Sequence, residues 1–185
     1  YEYCDLLVTG SGPAGLSSAY SAAKNGAKVI LAEDKPRFGG SLLTDDVTID
    51  NLSGKDWADK IITELKEMPN VIVKNRSQVF GYYDHNMMVM FERTGDHLND
   101  KPKYTPRQRL WYVRAKEVLL STGSIERPIV FGNNDTPGVF LSAAAKEYIK
   151  VYGVLVGKKP LIFTNNDSAY ETALEFNKQG IEPII

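Results

Sequence analysis

Apolar and polar positions follow two rhythms along the chain, and the change from one to the other organises it. Residues 5–9 ("DLLVT") form a short apolar run of strand length. Residues 13–25 are Ala-rich at helical spacing and end at Gly26, a residue suited to close a helix. Residues 28–33 are again a short apolar run, so the first 33 residues predict a βαβ unit with a tight return. A loop with Gly39 and Gly40 follows, then a helix over about 55–67 with Trp57, Ile61 and Leu65 on one face, then a strand at 71–73. After that the period shortens to two. "SQVFGYYDHNMMVMFERTGD" and "RQRLWYVRAKEVLLSTG" predict antiparallel strands, a meander inserted before the parallel pattern resumes at 117–121. The polar, Pro-containing stretch 97–109 predicts an exposed loop. Residues 142–152 predict a helix, and "KKPLIFTNNDSAYETALEFNKQGIEPII" predicts a strand, a helix and a strand.

These elements predict an α/β fold: a Rossmann-like dinucleotide-binding domain with a parallel sheet and an antiparallel β-meander. The domain is expected to cover residues 1–153, with 154–185 the start of a second, truncated Rossmann-like domain. Because the chain opens directly on a strand and stops inside another, it reads as an internal piece of a longer polypeptide.

Composition narrows the choice of partners. The 22 Lys and Arg nearly balance the 23 Asp and Glu, so no basic excess points to nucleic acid or an anionic membrane surface. Cys4 is the one cysteine, which excludes an internal disulfide and suits a buried or half-buried thiol in a reducing compartment. The N-terminus lacks the regions of a signal peptide, and no run approaches the ~18 apolar residues of a membrane span. The expected location is the cytoplasm. His85 and His97 have no metal-ligand spacing, so no metal site is expected. "GKK" at 157–159 lacks the frame of a phosphate loop, and no acid/base pair presents itself. Trp111, Tyr112, Tyr82 and Tyr83 suit packing of the meander, with an outer face able to serve a subunit contact.

The chemistry concentrates in "VTGSGPAGLSSAYSAAKNGAKVILAED". Gly10 permits the tight exit from the strand, Gly12 lets backbone approach a pyrophosphate, and Gly15 permits close packing of helix on strand. The helix start then offers free N–H groups and a positive dipole end to the diphosphate. Glu33 closes the second strand, where a carboxylate accepts hydrogen bonds from both ribose hydroxyls and repels a 2′-phosphate. That favours NAD or FAD over NADP, an inference weakened a little by Lys35 and Arg37.

"VTGSGPAGLSSA", "AEDKPRFGGSLL" and "VLLSTGSIERP" together resemble the first dinucleotide-binding domain of the two-domain flavoprotein superfamily that includes glutathione reductase. More narrowly, "STGSIERPIVFGNNDTPGVFLSAAAKEYIKVYGVLVGKKPLIFTNNDSAYETAL" resembles the α subunits of heterotetrameric sarcosine oxidases, and the likeness runs through essentially the whole chain. The larger subunits of opine oxidases and of hydrogen cyanide synthase share the general pattern less closely. The resemblance implies bound NAD in this segment, FAD in a β subunit and FMN near the α/β interface. By motif position the nucleotide would meet Gly10, Gly12, Pro13, Ala14 and Gly15 in the turn, and Glu33, Asp34 and Lys35 at the strand end. It would also meet Gly40 and Ser41 after the paired glycines, Val79 in the meander, and Thr122 and Gly123 in the later turn. In "TNNDSAYETA" the superfamily's second nucleotide turn is altered: Thr164, Asn166 and Ala169 stand where glycines are expected. Asn166 then carries a side chain where backbone must meet phosphate, which argues against NADPH binding there.

The implied activity is oxidative demethylation of sarcosine with oxygen to glycine and hydrogen peroxide, the one-carbon unit passing to tetrahydrofolate. The implied partners are β, γ and δ subunits, with no catalytic side chain in this segment. Two alternatives stay open: an FAD-binding subunit of an opine or amine dehydrogenase-type complex, and a structural subunit plugged by its nucleotide.

Overall fold

The computed structural model describes residues 1–185, which divide by internal contacts into two units, Tyr1–Gly123 and Ser124–Ile185. In the first unit β1 (Glu2–Thr9) leads through α1 (Pro13–Lys24) to β2 (Val29–Ala32). A hairpin of β3 (Thr48–Ile49) and β4 (Leu52–Ser53) precedes α2 (Gly54–Glu67) and β5 (Val71–Lys74). Then come β6 (Ser77–Tyr83), β7 (Met87–Arg93) and β8 (Gln108–Leu120). Six of these strands form one sheet in the order β5-β2-β1-β8-β7-β6. β1 pairs in parallel with β2 and with β8, β2 pairs in parallel with β5, and the β6-β7-β8 pairings are antiparallel.

Alternation along the central strands splits the core in two. Val29 and Leu31 of β2 face α1 and α2, joining Val8, Leu16, Ala19, Trp57, Ile61 and Leu65. Ile30 and Ala32 face the other way, joining Cys4, Leu7, Met88, Met90, Val113 and Ala115. All four β2 residues are buried, as a strand covered on both faces requires. The helices end where local chemistry stops them. Ser53 accepts a hydrogen bond from Asp56 N to open α2, and Gly26 adopts φ +86° just past α1.

The meander is not a separate insertion. β8 is a single strand of 13 residues whose first part, Gln108–Arg114, pairs with β7, while Val113–Leu120 pairs with β1. At about 3.3 Å per residue it far outreaches the 8-residue β1, and the overhang carries the antiparallel strands on the same sheet.

The second unit holds α3 (Ser142–Tyr152) and α4 (Ser168–Lys178), packed through Ala145, Ile149 and Phe176. The strands expected on either side of α4 reduce to one parallel bridge between Leu161 and Ile184, supported by Ile162 N donating to Ile184 O at 2.7 Å. By internal contacts α3 groups with this unit, which begins at Ser124. The reason is a polar seam between the two helices: Ser142 Oγ donates to Thr172 Oγ1 at 2.8 Å, Lys146 pairs with Glu171, and Lys150 lies 3.4 Å from Glu175.

Candidate functional site

The C-terminal ends of β1, β2 and β8 lie side by side, because β1 has parallel partners on both flanks. The chain leaves β1 toward β2 and returns on the opposite flank at β8. Such a reversal of strand order opens a crevice at the strand ends, where α/β sheets bind ligands.

The glycine turn lines that crevice. Gly10 has φ +98°, and a Cβ on it would lie 2.3 Å from Ser121 O. A Cβ on Gly15 would lie 1.9 Å from Gly10 O, so both positions are closed to side chains by their own surroundings. Gly12 differs, since a Cβ there would find no atom within 4 Å. It is also the N-cap of α1, which has Pro13 in its first turn, no side-chain cap and no acidic residue there. An uncapped helix start beside bare backbone is a cradle shaped for a diphosphate. Gly40 packs against Gly12, and Gly39 N donates to Ser11 O at 3.1 Å and to Ser11 Oγ at 3.2 Å.

Glu33 is only 6% exposed, and its carboxylate is already engaged. Oε2 accepts from Ser11 N at 2.9 Å and from Ser11 Oγ at 2.5 Å, and Oε1 accepts from Lys35 N at 3.0 Å. A carboxylate offers about four acceptor positions. Three are taken by these donors and the Asp34 carboxyl lies within hydrogen-bond reach as well, so a grip on both ribose hydroxyls needs one of these contacts to let go. Burial pushes the Glu33 carboxyl above its ordinary value, the Asp34 carboxyl adds to the rise, and the Ser11 and Lys35 donors oppose it. The backbone around Glu33 is stitched to the hairpin: Ser77 N donates to Glu33 O at 2.7 Å, Arg76 N to Lys35 O at 3.0 Å, and Arg93 Nη2 to Asp34 O at 2.9 Å.

Most of the other residues singled out in the sequence lie near the same strand ends. Pro13 and Ala14 are exposed at the start of α1, Asp34 and Lys35 are exposed beside Glu33, and Ser41 is exposed in the turn after Gly40. Thr122 and Gly123 are exposed just beyond β8, where Ser121 Oγ donates to Thr9 O and Gly10 O at 2.9 and 3.0 Å. Val79 is set apart: its side chain packs against the core cluster around Met88 and Met90, and it pairs with Met90 across the β6–β7 ladder. Ser11 was not singled out by the motif, whose middle position carries no residue requirement. The signal available for it was a polar residue between two glycines in a turn that must be buried.

In the second unit the N-cap of α4, Asp167, likewise makes no side-chain cap bond, but one N–H of the helix start is met by a neighbouring side chain. Asn166 Oδ1 accepts from Ser168 N at 3.0 Å and from Ser168 Oγ at 2.5 Å, so α4 begins on the chain's own side chain. Glu126 does the same for α3, accepting from Ala143 N at 2.7 Å. Ala169 and Ala173 are buried, and Glu171 is held by Lys146. Within this unit a cavity of about 430 Å³ is lined by Glu126, Arg127, Phe131, Phe163 and Asn166 among others. His85 and His97 are exposed, and no group of three or more His, Cys, Asp or Glu is placed to hold a metal ion. Cys4 is fully buried, and burial pushes its thiol up to about 11. No helix is long and apolar enough to cross a membrane.

Comparison with known proteins places this geometry. Residues 5–91 match the family of FAD dependent oxidoreductases. The sarcosine oxidase subunit alpha of Rhizobium meliloti (strain 1021) is 44% identical over 184 residues, which take in 100% of this chain and 19% of that protein. The sarcosine oxidase subunit alpha of Corynebacterium sp. (strain P-1) is 39% identical over 185 residues, 97% of this chain and 19% of that protein. Among solved structures, L-proline dehydrogenase from P. horikoshii matches with a TM-score of 0.78 and 25% identity, covering 98% of this chain and 35% of that one.

Proposed function

The chain belongs to the family of sarcosine oxidase α subunits, oxidoreductase subunits of whose length it spans 19%, and from that premise we propose that it is their NAD-holding portion. The observation that carries the reading is the pairing of an open, uncapped turn at Gly12 with a buried carboxylate at Glu33 on the next strand. In this reading the first-turn N–H groups of α1 receive the diphosphate, and Glu33 receives a ribose hydroxyl while repelling a 2′-phosphate. Asp34, Lys35, Ser41, Thr122 and Gly123 border the nucleotide, and the backbone of Val79 reaches its adenine end. When bound, NAD supplies a ring able to take up hydride. The residues of this chain bind and orient it, and none is assigned a catalytic role.

The whole complex, with FAD in the β subunit, FMN near the α/β interface, and γ and δ subunits beside them, would oxidise the N-methyl group of sarcosine by two electrons. Oxygen would be reduced to hydrogen peroxide, glycine released, and the one-carbon unit passed to tetrahydrofolate in the cytoplasm. The likeness to an L-proline dehydrogenase supports this substrate class, because proline and sarcosine are both secondary amino acids. The choice of a single nucleotide per chain is supported by Asn166, whose side chain occupies the Ser168 N–H at the helix start that a second one would use.

A second reading has FAD in the same cradle, as in an opine or amine dehydrogenase-type complex. It is favoured by the match of residues 5–91 to FAD dependent oxidoreductases. Denaturing the purified α chain and identifying what it releases separates the two. A colourless dinucleotide with the mass of NAD supports the first, and a yellow flavin from this chain overturns it.

A further inference from the structure

Ser11 has no side-chain task in the glycine motif, yet it is fully buried and joins the glycine turn to Glu33 and to Gly39. Its N–H and its hydroxyl both donate to Glu33 Oε2, while its hydroxyl oxygen and its carbonyl both accept from Gly39 N. We propose that Ser11 is a positioning residue for the ribose end of the dinucleotide, its hydroxyl fixing Glu33 so that Oε1 is the oxygen offered to a ribose hydroxyl. The inference rests on the dinucleotide reading above.

A hydroxyl has one hydrogen and two lone pairs. With the hydrogen committed to Glu33 and a lone pair to Gly39, the group is no longer a free rotor. Oε2 then carries two donors beside the one from Lys35 N on Oε1, so Oε1 is the less occupied oxygen toward these donors. The turn does not need the hydroxyl to hold its shape. The backbone bonds from Ser11 N to Glu33 and from Gly39 N to Ser11 O remain when it is removed. What removal changes is the carboxylate: Oε2 gains an empty acceptor position, and the group loses one of the three donors that hold its rotation, the one from a side chain.

The test is a double-substitution cycle in the intact complex, with the NAD dissociation constant measured by calorimetry on stripped protein. Ser11→Ala is expected to weaken NAD roughly tenfold, the range of one hydrogen bond to a charged group. In a Glu33→Gln background, where no carboxylate remains to be oriented, the same change is expected to cost less than about twofold. Ser11→Cys replaces the hydroxyl with a larger, weak donor and is expected to lose affinity at least as much as Ser11→Ala, which keeps the test open if the Ala variant fails to fold. Equal losses in both backgrounds would overturn the inference, because Ser11 would then act through the turn. A Ser11→Ala or Ser11→Cys variant with native affinity, beside a weakened Glu33→Gln, would overturn it while leaving the dinucleotide reading in place. Native affinity in Glu33→Gln, or no NAD binding by the native complex, would overturn that reading together with the inference.

Discussion

Gly12 and Gly15 sit three residues apart in one motif, yet the same substitution should break different things at each. Gly12 has φ −68° and ψ −178°, ordinary angles for alanine, and the new Cβ would meet no atom within 4 Å. Gly12→Ala therefore costs only the weaker capping preference of alanine, about 1 kcal/mol or less. For a chain of this size that lowers the unfolding midpoint by roughly 2–4 °C. In the dinucleotide reading the added methyl occupies the space through which backbone N–H groups reach the diphosphate. Loss of one charge-assisted hydrogen bond, about 1.5–3 kcal/mol, corresponds to roughly 10- to 100-fold weaker NAD binding. At Gly15 the Cβ would lie 1.9 Å from Gly10 O and 2.7 Å from Ser121 Oγ, so the helix must back away from two strands at once. Gly15→Ala should cost about 3 kcal/mol or more and lower the midpoint by roughly 6–12 °C. Thermal unfolding of the stripped variants, followed by NAD titration, reads both quantities. Native affinity in Gly12→Ala, or equal destabilisation of the two variants, would refute the division of labour within the motif.

Three further outcomes are expected. Because burial holds the Glu33 carboxyl above its unfolded value, its contribution to stability is fully present below that value and lost as pH rises through the folded one. Glu33→Gln should thus gain stability relative to the native chain between acid and neutral pH, and parallel midpoint-against-pH curves would count against it. Cys4, buried and with its thiol pushed up to about 11, should resist thiol reagents at neutral pH until the chain unfolds; rapid stoichiometric labelling of the native protein would contradict this. Asn166→Ala removes the acceptor for Ser168 N and should lower the midpoint by about 2–4 °C through about 1 kcal/mol, while Asn166→Asp retains the cap. An unchanged midpoint in the Ala variant would show that α4 does not depend on this contact.

The parts of the site legible in the sequence are those set by local chemistry. The glycines are readable because each serves a backbone need that no side chain can meet, and α1 is readable because Pro13 and Gly26 mark its ends. Glu33 is readable because a strand of known length must end near it. What stayed hidden depends on pairings distant in sequence. β8 looked like two segments because its solvent-side residues change character near Arg114, where its partner changes from β7 to β1. The packing of α3 on α4 stayed hidden because nothing in its own residues declares that Ser142 and Lys146 will meet Thr172 and Glu171. Ser11 escaped notice for the same reason, since its importance lies in Glu33, 22 residues away.

The long β8 strand also sets where the protein tolerates change. Val113 and Arg114 are paired on both sides at once, to Met88 and Met87 of β7 and to Glu2 and Tyr3 of β1. Side chains alternate along a strand, so slipping the hairpin by one residue would turn the buried Val113 and Ala115 outward. The shift would carry along an unbroken backbone to Ser121, whose carbonyl abuts Gly10. Insertions are therefore expected to be absorbed in the polar loop before Gln108 and felt at the glycine turn when placed after it. The strand acts as a ruler laid between hairpin and crevice, and evolution can lengthen the chain freely only off its end.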